Sequence, residues 1–182
     1  AERLYELAHG RDYRRVETTQ QVKSIGNEQT YENDLVLQED VDRQLRLLAE
    51  EVAHRLRKHG LMGRTITLKI RYNDFTTETR SESSESIGLY TEEQLYFSAR
   101  KLYAKKTRKG SVRLLGITVS KLQTAIIQDS LFAKDPITQK RLADEKVTTA
   151  IDKLQERFGK RAVMKGFLWE AESSVKEVKE KE

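Results

Sequence analysis

The stretch RTITLKIRYNDFTTETRSESS, residues 64–84, alternates Ile66, Leu68, Ile70 and Tyr72 with Thr65, Thr67, Lys69 and Arg71. Successive side chains of a strand leave opposite faces, so this alternation predicts a strand buried on one face only. Asn73 and Asp74 supply turn chemistry. Phe75 to Ser83 then continues as a second, much more polar strand, and the two make a hairpin.

Upstream lies QEDVDRQLRLLAEEVAHRLRKHG, where Val41, Leu45, Leu48, Val52 and Leu56 recur at helical spacing with Ala49 and Ala53 beside them. Glu39, Asp40 and Asp42 crowd its start and Arg55, Arg57 and Lys58 its end, as the helix dipole favours, and Gly60 follows as a stop. Downstream, YTEEQLYFSARKLYAKK predicts a second helix, with Thr91 and Gln94 spaced as a capping box and Leu95, Ala99 and Leu102 as its inward stripe. In SVRLLGITVSKL, Leu115, Ile117 and Val119 share one face, and Leu114, Gly116, Thr118 and Ser120 the other. VETTQQVKSIGNEQTY, rich in Thr, Val and Ile, reads as the first strand.

The order strand, helix, strand, strand, helix, strand fits an α+β fold. It consists of a four-stranded, mainly antiparallel sheet with two helices on one face, in a split βαβ or ferredoxin-like arrangement. Beyond Gln123 a polar connector leads to EKVTTAIDKLQERFG, a further helix with Val147, Ile151, Leu154 and Phe158 at helical spacing and Gly159 as a stop. From Ala171 the chain is charged and poor in apolar residues, so disorder or a frayed helix is expected.

With 182 residues, 37% of them hydrophobic and 35% charged, the chain suits one core plus solvated appendages. It has 34 Lys and Arg against 29 Asp and Glu, and the resulting net charge of +5 names no partner by itself. The absence of cysteine excludes disulfides and thiolate metal sites. Without a long apolar run, a soluble, intracellular and cytoplasmic chain is expected. Ala1 in place of methionine suggests a piece of something longer.

If both helices cover one face of the sheet, the other presents Thr65, Thr67, Lys69, Arg71, Thr77, Thr79, Gly116, Thr118 and Ser120. Such small, hydroxylic and cationic residues suit phosphate oxygens and a closely approaching backbone. A plain solvated face is the alternative, since antiparallel sheets commonly have one. Base-stacking aromatics of the kind an RNA-recognition sheet carries are missing from these strands.

VKSIGNEQTY, GRTITLKIRYNDFTTETRS and VRLLGITVSKL, in this order around two helices, resemble the little-finger domain of Y-family DNA polymerases of the polymerase IV type. The likeness runs from about Leu4 to Gly166. It implies four regions: the end of a thumb and a linker over 1–15, a DNA-binding little finger over 16–123, a clamp-binding segment and C-terminal helix over 124–166, and a charged tail over 167–182. By this resemblance the parent protein is a lesion-tolerant, translesion DNA polymerase whose little finger grips primer-template backbone. The implied DNA contacts are Lys23, Ser24 and Gly26 in the first block, Thr67, Lys69, Arg71, Thr77, Thr79 and Arg80 in the hairpin, and Arg113 and Gly116 in the last strand. Some relatives carry a second arginine where this chain has Leu114.

The family also binds a toroidal sliding clamp through a short Gln-x-x-Leu-Phe sequence, which QDSLF matches at Gln128, Ser130, Leu131 and Phe132. The resemblance places catalytic carboxylates and magnesium in the palm of the parent polymerase. No palm or finger motif stands in this chain, so it is expected to be inactive alone and to hold no cofactor. A free-standing adaptor joining DNA to the clamp is the alternative function, and a ferredoxin-like domain facing only solvent is a third. Glu39, Asp40 and Asp42 read as helix-start acids, and His9, His54 and His59 lack the spacing of a metal site or a triad.

Overall fold

A computed structural model of the chain describes residues 2–14, 21–84, 88–124, 136–159, 162, 163 and 166, with the backbone alone over 136–146. The elements are α1 (Glu2–Ala8), β1 (Ser24–Leu35), α2 (Gln38–Lys58), β2 (Leu61–Tyr72), β3 (Thr77–Ser83), α3 (Glu92–Ala104), β4 (Val112–Thr124) and α4 (Pro136–Phe158). The strands form one sheet in the order β1-β4-β2-β3, every neighbouring pair antiparallel. β4 therefore separates β1 from β2, and β2 separates β3 from β4. The result is a pair of interlocked split βαβ units, in agreement with the expected fold class.

The core is the meeting of one sheet face with α2 and α3. Val41, Leu45, Leu48, Val52 and Leu56 of α2, and Leu95, Ala99 and Leu102 of α3, pack with Ile66, Leu68, Ile70, Leu115, Ile117 and Val119 of the central strands. The capping box forms as its spacing predicts: Gln94 N–H donates to Thr91 Oγ1 at 3.3 Å, and Thr91 N–H donates to Gln94 Oε1 at 3.2 Å. Gly60 ends α2 with φ at 60°, a left-handed conformation that suits glycine.

Two boundaries differ from expectation. The first strand begins at Ser24 and runs to Leu35, four residues beyond Tyr31, while Gln21 to Lys23 lie outside it. Val16, Glu17, Thr18 and Thr19, whose propensity suggested an earlier start, lie outside the described residues. The last helix begins at Pro136 and not near Glu145. Proline suits a first helical turn, since the amide it lacks would have no intrahelical partner there.

Helix α4 meets α2 through charge. Arg57 donates from Nε and Nη2 to Asp152 at 2.8 and 3.0 Å, His54 Nδ1 lies 3.0 Å from Asp152 Oδ1, and Lys58 reaches Glu156 at 3.4 Å. Partial burial would raise the Asp152 carboxyl, but the bonds to Arg57 and His54 outweigh it and hold it below the usual carboxylate value. His54 is thus a structural histidine, consistent with its spacing. The charged tail, together with Trp169, lies outside the described residues.

Candidate nucleic-acid interface

Because directly paired residues of antiparallel strands share a face, the strand register defines the side of the sheet that the helices leave open. Read from β1 through β4 and β2 to β3, four rows cross it. The first is Ser24, Ser120, Thr65 and Ser83; the second is Gly26, Thr118, Thr67 and Ser81. The third is Glu28, Gly116, Lys69 and Thr79; the fourth is Thr30, Leu114, Arg71 and Thr77. Serine and threonine fill most of this grid, and all its members except Gly116 and Leu114 are at least partly exposed.

Four of the hydroxyls are held in pairs. Thr65 Oγ1 meets Ser83 Oγ, and Thr67 Oγ1 meets Ser81 Oγ, each at 2.9 Å. Arg71 Nε donates to Thr77 Oγ1 at 3.1 Å, which orients the guanidinium across the sheet. In each Thr–Ser pair one hydroxyl spends its single proton on the other, whose own proton stays free, as does that of Thr77, so the surface remains able to donate to a ligand's oxygens. Close packing sets its flatness: a Cβ on Gly26 would stand 2.5 Å from Thr118 Oγ1 and 2.9 Å from the Ile117 carbonyl, so β1 lies against β4 only with glycine there.

The residues that the resemblance points to fall into three groups. Ser24, Gly26, Thr67, Lys69, Arg71, Thr77, Thr79 and Gly116 come together on the open face, with exposed Lys23 at its margin. Gly116, however, is buried, because the Glu28 side chain lies over it and not open space. Arg80 falls elsewhere: it pairs with Leu68, which puts it on the helix side of the sheet. There its Nε donates to Glu78 Oε1 at 2.6 Å, and Glu78 also accepts from Tyr72 and from the Thr107 amide. Strand parity decides this placement, since Arg80 lies an odd number of residues from Thr77 and Thr79.

Arg113 stands in the irregularity between Arg71–Leu114 and Tyr72–Val112, with its guanidinium 5.0 Å from the Phe75 ring centroid and 3.9 Å from Asp34. Phe75 takes φ at 62° at the hairpin tip and remains exposed. Leu114 occupies the open face at 4% exposure between Thr30 and Arg71. The basic run after α3 is partly engaged internally, with Lys106 Nζ bonded to the Tyr103 hydroxyl and Arg108 to Asp74. Gln128, Ser130, Leu131 and Phe132 lie outside the described residues.

Glu28 is the residue that sequence reasoning missed. Its Oε2 accepts from Lys69 Nζ at 2.8 Å across Gly116. The signal was present in the parity of β1, where Gly26, Glu28 and Thr30 alternate with Ile25, but the facing lysine depends on β4 standing between β1 and β2. The acids that begin α2 serve the fold: Asp42 accepts from the Tyr96 hydroxyl and pairs with Arg100, and Asp40 pairs with Arg43. Among the described residues no group of three or more His, Asp or Glu is placed to hold a metal ion. None of their helices is long and apolar enough to cross a membrane.

Comparison with known proteins places this geometry in a family. The model of the impB/mucB/samB family C-terminal domain matches residues 22–131, which contain the whole sheet and both covering helices. DNA polymerase IV 1 of Mesorhizobium japonicum is 36% identical over 168 residues, covering 91% of this chain and 37% of that protein. DNA polymerase IV of Desulfatibacillum aliphaticivorans is 39% identical over 162 residues, covering 86% of this chain and 39% of that protein. The little finger of polymerase IV, solved in complex with the beta-clamp processivity factor, aligns with 60% of this chain and 98% of its own, at a TM-score of 0.47 and 21% identity. The chain spans well under half the length of the curated relatives it matches. The resemblance carried by the three strand blocks is borne out, and the chain belongs to the impB/mucB/samB family, of which it carries the C-terminal domain.

Proposed function

We propose that this chain is the little-finger part of a translesion DNA polymerase of the polymerase IV type, laying its open sheet face along the backbone of primer-template DNA. The observation that carries this reading is the four-row grid of hydroxyls, glycines and two cations opposite the helices. A polymerase must hold every sequence it copies, so it needs phosphate contacts and few base-edge contacts. Short hydroxyl side chains let a sugar-phosphate backbone approach the strands, and Lys69 and Arg71 supply charge near the middle of the sheet. Catalysis and its magnesium belong to the palm of the parent enzyme, so this chain contributes grip.

The same reading assigns Gln128, Ser130, Leu131 and Phe132 to a sliding clamp. Two large apolar side chains entering a partner's pocket contribute about 1.5–3 kcal/mol each, less the entropy of ordering their segment. Alone that gives weak binding. On a chain already held to DNA, the raised effective concentration makes the second contact count.

Fluorescence anisotropy with two duplexes of unrelated sequence, each at low and moderate salt, tests the DNA reading. Comparable affinity for both, falling steeply with salt, is expected, at a slope of about −0.9 in log K per phosphate engaged. Affinity indifferent to salt overturns it. Replacing Leu131 and Phe132 together by alanine is expected to abolish binding to an immobilised clamp and to leave duplex affinity unchanged. Unaltered clamp affinity refutes that assignment.

A further inference from the structure

The third row of the open face carries an acid where the remaining chemistry favours anions. Glu28 on β1 and Lys69 on β2 are separated by β4, and therefore by about twice the ~4.8 Å spacing between adjacent strands. Both side chains reach inward over the same residue, Gly116, and meet with Nζ and Oε2 2.8 Å apart. Glycine makes the contact possible: a Cβ at Gly116 would stand 2.9 Å from Glu28 Cβ and 3.5 Å from Oε2. The pair lies between two rows of hydroxyls and the Arg71 row. Its side chains are 34% exposed at Lys69 and 55% at Glu28, so solvent and ligands reach it.

From this geometry we propose that Glu28 is a built-in competitor for Lys69, a carboxylate standing where a backbone phosphate would bond and limiting the strength of the grip. The inference rests on the DNA-binding reading above and deepens it. A phosphate oxygen and a carboxylate oxygen are both anionic acceptors for an ammonium group. When a duplex settles on the face, Lys69 turns from Glu28 to phosphate, and Glu28 is left beside a like charge. The lysine therefore adds less to affinity than an unpaired one, and the protein releases DNA more readily. For a protein that must travel along its template, a weakened central contact favours movement without loss of the flat, hydroxyl-lined track.

The test is duplex binding by the full chain at low and moderate salt, with Glu28→Gln, Lys69→Met, both together, and Glu93→Gln. Glu93 is exposed on α3, on the helix side of the sheet, so its substitution makes the same change in net charge away from the grid. Glu28→Gln is expected to bind about two- to fivefold more tightly than the wild type, the range of exposed charge pairs, with the gain shrinking as salt rises. Glu93→Gln is expected to change affinity less. Lys69→Met is expected to weaken binding little in the wild-type background and clearly in the Glu28→Gln background, the non-additivity that marks coupled residues. If the wild type binds and Glu28→Gln is no tighter than Glu93→Gln, or the two substitutions on the face are additive, the competitor role is overturned and the DNA reading stands. If the wild type fails to bind duplex at either salt, both fall.

Discussion

Strand β4 sends Leu115, Ile117 and Val119 toward the helices and Gly116, Thr118 and Ser120 away from them. The two faces of one sheet, built from adjacent residues of the same strands, obey different rules. On the covered face, fit and apolar area decide, and Leu68, Ile70, Leu115 and Ile117 are fully buried. On the open face most side chains are short and hydroxylic, several are paired with one another, and all residues but Gly116 and Leu114 keep some surface in contact with solvent. Stability and recognition are thereby separated by the thickness of a strand. The open face is able to specialise for a partner because it contributes little to the core.

The strongest attack on this division substitutes one residue on each face. Ile117→Ala removes a fully buried side chain and is expected to cost about 2–5 kcal/mol in urea or thermal unfolding, whereas exposed Thr79→Ala is expected to stay within about 0.5 kcal/mol. Equal effects would abolish the distinction.

Two arginines of the same hairpin sharpen it. Arg71→Ala, on the open face, is expected to lower the salt slope of duplex binding by about 0.9 and to leave folding nearly untouched. Arg80→Ala, on the helix side, leaves Glu78 half-buried with one partner fewer, and is expected to lose about 1–3 kcal/mol of stability with the slope unchanged. Exchange of these two phenotypes would show that the register is misread.

The smallest effect concerns α4. The Asp152 carboxyl is held below its ordinary value, so its contribution to docking on α2 is complete above the unfolded carboxylate value, near pH 4, and is lost as pH falls through the lower folded value. Protection of the α4 amides, relative to their intrinsic exchange rate at each pH, is expected to fall in that acid range, and Asp152→Asn to speed their exchange roughly fivefold at neutral pH, as befits a partly exposed pair worth about 1 kcal/mol. Exchange in α4 that ignores both acid and substitution would show that other contacts hold the helix.

Periodicity was legible to different depths in different elements. Val41, Leu45, Leu48, Val52 and Leu56 repeat at helical spacing and are all buried. Val147, Leu154 and Phe158 repeat just as well, yet stay exposed, at 59%, 42% and 62%. A helical stripe reports that a helix has an apolar side and not that a surface exists to cover it. At the candidate interface, parity within β2 placed Thr67, Lys69 and Arg71 correctly. Arg80, named by likeness alone, went to the other side.

What the sequence determined by itself is therefore local: the existence of the four strands and of α2 and α3, where α2 and α3 start and stop, and which side chains of a strand share a face. These follow from backbone geometry over a few residues, whose periods of two and 3.6 are written directly in the chain. Only the tertiary structure decided that β4 enters between β1 and β2, and with it that Glu28 meets Lys69 over Gly116. Likewise, the meeting of Asp152 with Arg57 joins residues 95 positions apart. Such encounters depend on strand order and register, which arise from packing the whole core at once and leave no mark in the spacing of neighbouring residues.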